Sequence, residues 1–128
     1  MKTPSIDLKA NAKSAVIDVL NARLADSIDL ALATKQAHWN LKGPNFIAVH
    51  ELFDTVKARL DEHVDMMAER VQVLDGVAVG TVEKVAKTST LKEYPTDLTK
   101  AEDHIKAVCE RMRDYGEKVR AAINATDE

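Results

Sequence analysis

Four side chains on one stretch of the chain carry donor atoms suited to a transition metal: His50, Asp54, Asp65 and Glu69. His50 and Asp54 stand four residues apart, as do Asp65 and Glu69. On a helix each pair therefore shares a face and converges on one ion. Imidazole with carboxylate suits iron, manganese or zinc better than calcium. One helix cannot bring both pairs to the same ion, because Asp54 and Asp65 are eleven residues apart, roughly 16 Å at the standard helical rise. Either the pairs are unrelated, or they meet across a twofold axis where the same helix of a second copy runs antiparallel. Such an axis falls near Arg59 and Leu60. It creates two equivalent sites per dimer, each with His50 and Asp54 from one copy and Asp65 and Glu69 from the other. Asp61 and Glu62 lie on the same flank, and an acidic solvated face accounts for the carboxylates as well as a metal does.

Other conspicuous residues have plainer readings. His38 falls on the apolar face of the preceding helix, where a hydrogen-bonded core histidine is the commoner situation. Trp39, the sole tryptophan, reads as a core or interface anchor. Met66 and Met67 read as packing rather than ligation.

The elements that position these groups are long helices. Lys9 to Lys42 contains no internal Gly or Pro and is rich in Ala and Leu, which predicts one helix. Val16, Leu20, Leu24, Ser27, Ala31 and His38 share its inner face. Gly43-Pro44 ends it, and Asn45 is placed to cap a second helix from Phe46 to Asp75. The core stripe of that helix is Val49, Phe53, Val56, Leu60, Val64, Met67, Val71 and Leu74, with Gly76 as its stop. Val77 to Asp97 reads as a crossover running the length of a bundle, with one short helix near Thr81 to Ala86. Thr99 and Glu102 match a capping box. The third long helix, from Lys100 to Asn124, is expected to bury Ile105, Val108, Met112, Val119 and Ile123. The architecture expected is all-α: a bundle of three long helices with a long crossover between the second and third.

Bulk properties agree and exclude several classes. Only four Gly and three Pro punctuate 128 residues, too few for a many-turned β fold. A net charge of −3 gives no global attraction to nucleic acid. The single cysteine, Cys109, allows no internal disulfide and suits a reducing cytoplasm. The first residues lack the apolar run of a signal peptide, and no stretch is long and apolar enough for a membrane helix.

The segment Thr34 to Asp54 (TKQAHWNLKGPNFIAVHELFD) and the later Asp65 to Arg70 (DMMAER) together resemble the signature of the Dps family, DNA-binding miniferritins of starved cells. His38, His50, Asp54, Asp65 and Glu69 fall at its His-x11-His-x3-Asp-x10-Asp-x3-Glu spacing. The similarity runs from about Ala12 into the third long helix. It implies a ferritin-like bundle, with an arm at residues 1–8 and the domain from 9 to 128. It also implies a hollow homododecamer that oxidises Fe(II), preferentially with hydrogen peroxide, stores Fe(III) oxide and shields DNA.

Two ferroxidase sites per dimer are implied, each with His38, His50 and Asp54 from one subunit and Asp65 and Glu69 from its twofold mate. Glu69 is the expected anchor, and Asp65 either bridges or supports the site without touching the metal. Trp39 is implied as an electron donor or a hydrogen-bonding partner of site water. Lys35, one turn before His38, is the expected partner of a site carboxylate. Asp103, Glu110, Asp114 and Glu117 on the third long helix form a solvated face, or a negative funnel for iron around a threefold axis. The family's lysine-rich DNA arm is reduced here to Lys2 and Lys9 against Asp7, with Lys13 already helical, so weak DNA binding is expected. The family's fourth bundle helix follows a linker like Asn124 to Glu128, so an incomplete bundle is expected. The alternatives are a structural nucleoid protein with secondary iron chemistry, or an inactive truncated bundle.

Overall fold

A computed structural model describes residues 9–126 as four helices. They are α1 (Ala10–Asn40), α2 (Phe46–Val73), the short α3 (Val82–Thr88) and α4 (Ala101–Thr126). The expected arm, residues 1–8, lies outside the described residues. Among the described residues no helix is long and apolar enough to cross a membrane.

Helix α1 is the central post, packing against α2, α3 and α4. Small side chains allow this close approach: Ala25, Ser27, Ala31, Ala33, Thr34 and Ala37 are all buried. One core cluster joins Ala33, Ala37 and Leu41 to Val49 and Phe53 of α2, to Tyr94 of the crossover, and to Ala107 and Val108 of α4. A second joins Leu30 and Ala31 to Leu60 and Leu91. Of the α2 stripe read from the sequence, Val49, Phe53, Leu60, Val71 and Leu74 are buried, and Val56, Val64 and Met67 are half-buried.

Two turns set the direction of α2. At its start the chain reverses through Gly43, whose φ of +132° suits a residue without a side chain. At its end the left-handed position belongs to Asp75 (φ 67°) rather than to Gly76. The Asp75 N–H donates to Gln72 O at 3.0 Å and the Gly76 N–H to Val71 O at 2.9 Å, a Schellman closure. What Gly76 contributes is space, since a Cβ there would lie 2.9 Å from the Ile17 side chain and 3.0 Å from Val71. It lets the end of α2 sit directly on α1.

The crossover is fastened at mid-bundle by a fully buried carboxylate. Asp26 accepts from the Thr90 N–H at 2.7 Å and from the Thr90 hydroxyl at 3.0 Å, and pairs with Arg23 at 3.1 Å. Ser89 donates to Asp29 at 2.6 Å. A buried charge is tolerable only with this degree of pairing.

The start of α4 departs from the expected capping box. The helix begins at Ala101, and the strand-like pairing of Lys42 with Lys100 holds its entrance. The Lys42 N–H donates to Thr99 O at 2.7 Å, and the Ala101 N–H donates back to Lys42 O at 2.9 Å. Of the residues expected to be buried on this helix, Val108 is buried and Val119 half-buried, but the face as a whole is turned from the expected one. His104, Ala107, Val108 and Arg111 are buried, whereas Ile105, Met112 and Ile123 are exposed. The ridge carrying Ile105, Met112 and Ile123 lies about a quarter turn from the buried face at 100° per residue. Because α4 packs principally on α1, that ridge has no facing helix among the described residues. Part of the open side is a trough lined by Leu20, Met67, Val73, Tyr115 and Val119.

Candidate metal centre

His38 and His50 come from adjacent helices and lie one on the other, ring centroids 3.6 Å apart and 19° from parallel. Each ring bonds to the other residue's backbone. His38 Nδ1 is 2.5 Å from His50 O, and His50 Nδ1 is 2.8 Å from His38 O. A carbonyl only accepts, so both Nδ1 atoms carry hydrogen and donate. In the neutral rings both Nε2 atoms then keep their lone pairs, the form that ligates a metal. Reciprocal bonding fixes two tautomers and two ring orientations at once. Phe46 stacks on the other side of His50, with centroids 5.0 Å apart.

Asp54 stands one turn beyond His50 on α2. Its Oδ1 is 4.0 Å from His38 Nε2 and 2.6 Å from Lys35 Nζ. The Lys35 hydrogen bond is the main reason the Asp54 carboxyl titrates below the ordinary carboxylate range; slight desolvation opposes it. The two histidines, Asp54, Glu51 and Thr55 border one shallow surface cleft. It offers two nitrogen donors and one carboxylate, with an ammonium against the carboxylate.

Asp65 and Glu69 are elsewhere. Both are exposed on the later half of α2, and Glu69 borders the trough with His63, Met66 and Arg70. Among the described residues no three His, Cys, Asp or Glu side chains of one chain gather closely enough to hold a metal ion. The structure thus brings together Lys35, His38, His50 and Asp54, and leaves Asp65 and Glu69 apart. His38 is buried, as a core histidine would be, yet its Nε2 is directed toward a carboxylate, so its two readings merge. Trp39 is 63% exposed and is no core anchor. On α4, Asp114 is paired with Lys118 at 3.0 Å, which removes part of the acidic sector's charge.

Sequence reasoning missed the histidine-to-backbone exchange, since side-chain spacing says nothing about carbonyl positions. It also missed a buried set on the far side of the core: Tyr94, His104 and Arg111. Its only trace in the sequence is polar residues at helical core spacing, His104 and Arg111 flanking Ala107 and Val108.

A family model for the ferritin-like domain matches residues 17–128. The DNA protection during starvation protein of Agrobacterium fabrum is 56% identical over 122 residues, covering 95% of this chain and 75% of that protein. The protein of the same description from Mycolicibacterium smegmatis is 35% identical over 95 residues, and there the aligned stretch spans about half of the relative, 52%. Among solved structures, DpsA14 from Streptomyces coelicolor superposes with a TM-score of 0.90 at 32% identity, covering 96% of this chain and 74% of that one.

Proposed function

The chain belongs to the Dps family of ferritin-like proteins, and from that premise we propose that it oxidises Fe(II) at sites shared between two copies. Iron is the substrate, and hydrogen peroxide is the preferred electron acceptor. The observation that carries this reading is the His38–His50 exchange, which engages both Nδ1 atoms and leaves both Nε2 atoms free of it, in a cleft that Asp54 also borders. A core histidine pair has no need of a ring nitrogen facing a carboxylate, as His38 Nε2 does at 4.0 Å from Asp54.

Half of a site is present within each chain, and the other half is proposed to come from Asp65 and Glu69 of a second copy. Antiparallel pairing of two α2 helices about a point near Arg59 brings the halves together, because the two carboxylates lie as far beyond that point as His50 and Asp54 lie before it. Carboxylates favour Fe(III) over Fe(II), so Asp54, Asp65 and Glu69 draw the reaction toward oxidised iron. Lys35 holds Asp54 ionised until iron replaces the ammonium. Trp39, adjacent to His38 and exposed, supplies an electron when an oxidising equivalent escapes the site.

Larger assembly into a hollow homododecamer that stores Fe(III) oxide follows from the same family reading. So do a cytoplasmic location and protection of DNA by removing Fe(II) and peroxide together. Direct DNA binding is a minor part of this reading: the chain carries a net charge of −3, and the expected arm has few cations.

Anaerobic Fe(II) titration followed by mixing with peroxide or dioxygen tests the proposal. The expected outcome is saturation at two sites per dimer and faster oxidation by peroxide, with hydroxyl-radical trapping reduced. Unchanged radical yield with and without the protein overturns the protective function.

A further inference from the structure

The buried polar set behind the metal centre has a defined protonation pattern. His104 is 1% exposed, and its Nε2 lies 3.1 Å from Leu98 O. That carbonyl only accepts, so Nε2 carries a hydrogen, and in the neutral ring Nδ1 is then the acceptor. The Tyr94 hydroxyl donates to this Nδ1 at 2.6 Å, with the rings 14° from parallel. Burial pushes the Tyr94 phenol up to about 12, against the opposing effect of Arg111. The phenol therefore stays protonated at neutral pH, with His104 Nδ1 as its hydrogen-bond partner. Arg111 lies 5.0 Å over the Tyr94 ring and is held by the Lys92, Glu93 and Ala107 carbonyls.

The position of Tyr94 matters as much as its partner. It shares a core cluster with Ala37, Val49 and Phe53. Each of these immediately precedes a metal-facing residue: His38, His50 and Asp54. Tyr94 thus belongs to the same core as the chain neighbours of the metal-centre residues. The other tyrosine is a built-in comparison, since half-buried Tyr115 faces the Ser27 hydroxyl, a far weaker base.

We propose that Tyr94 and His104 form a radical-holding pair that takes up one-electron oxidising equivalents arising at the metal centre. Tyr94 gives one electron to hydroxyl radical, the product of peroxide and Fe(II). The Tyr94 O–H bond breaks and its proton moves to His104 Nδ1, leaving a neutral phenoxyl radical. The hydroxyl radical, with that electron and a solvent proton, becomes water. A further Fe(II) then returns an electron to the phenoxyl and becomes Fe(III), while the proton goes back from His104. Arg111 favours this return, because its charge opposes a lasting imidazolium. The net result is hydroxyl radical, Fe(II) and a solvent proton converted to water and Fe(III), with both side chains restored.

This role rests on the iron reading only for the source of the oxidant, so its test uses the metal-free full chain. A photogenerated ruthenium(III) polypyridyl complex serves as oxidant, and rapid-freeze electron paramagnetic resonance reads the product. A neutral tyrosyl radical is expected that Tyr94→Phe removes and Tyr115→Phe leaves in place. His104→Gln should lower its yield several-fold, and heavy water should slow its formation in the unaltered protein. A radical undiminished in Tyr94→Phe overturns the proposal, as does an unchanged yield in a folded His104→Gln. Equal rates in light and heavy water do the same without any variant. Failure here leaves iron oxidation standing, and failure of iron oxidation leaves this radical measurable.

Discussion

The two halves of α2 differ in how complete their chemistry is within one chain. In the first half, His50 and Asp54 lie against α1, which adds His38 and Lys35, orients both rings and holds the carboxylate. In the second half, Asp65 and Glu69 have the same four-residue spacing but project into solvent. The same local pattern is thus an assembled half-site where a second helix covers it, and a bare acidic face where none does. Ligand spacing on a helix specifies which side chains converge, but the neighbouring helix decides whether they are held.

The largest expected effect tests whether the halves belong together. His50→Ala and Glu69→Gln alone should each lower peroxide-driven iron oxidation more than tenfold. Subunits carrying one change each, mixed and reassembled, should regain one working site per mixed dimer, since His50 of one and Glu69 of the other remain intact. No recovery in verified mixed dimers breaks the shared-site comparison.

Next in size is the end of α2. Gly76→Ala places a Cβ against Ile17 and Val71, and overpacking of this kind costs about 1–3 kcal/mol. Thermal unfolding should shift down, and iron affinity should weaken through Glu69 while the His38–His50 half stays ordered. A variant as stable as the parent contradicts the close approach.

A smaller effect is expected at Lys35. Its ammonium keeps the Asp54 carboxyl below its ordinary range, so Lys35→Met lets that carboxyl protonate at higher pH. At neutral pH the carboxylate is ionised in either protein and freed from a competing cation, so Fe(II) should bind a few-fold tighter. As pH falls through the ordinary carboxylate range, the variant should lose affinity first. Parallel pH profiles for the two proteins, measured by titration, count against Lys35 acting through Asp54. The smallest effect belongs to Asp114→Asn. Iron uptake should slow modestly at low ionic strength and not at high, because Lys118 already screens this carboxylate. An unaltered rate returns the α4 carboxylates to the ordinary surface.

Helix positions, the α2 core stripe and the ligand spacing were legible because they depend on local periodicity and on a few breakers such as Gly43 and Pro44. The short helix of the crossover was legible for the same reason, with Thr81 accepting from the Lys84 N–H as its cap. The α4 face was misread. Periodicity marks an apolar ridge at Ile105, Met112 and Ile123, but burial requires a neighbour, and α1 meets the adjacent face instead. Thr99 and Glu102 matched a capping box, whereas the helix begins at Ala101, after the bridge of Lys42 with Lys100.

By itself, the sequence determined the all-α class, the helices that carry the ligands, and the need for a second copy if both pairs serve one ion, since ~16 Å along one helix admits no shared ion. Only the tertiary structure decided which nitrogen of His38 and His50 is free, that Lys35 occupies Asp54, and that Tyr94 faces His104. Those outcomes depend on the directions of carbonyls and side chains across helices far apart in the chain. Residue types at intervals along the sequence do not encode such directions locally; the packing of α1 against α2 and α4 does.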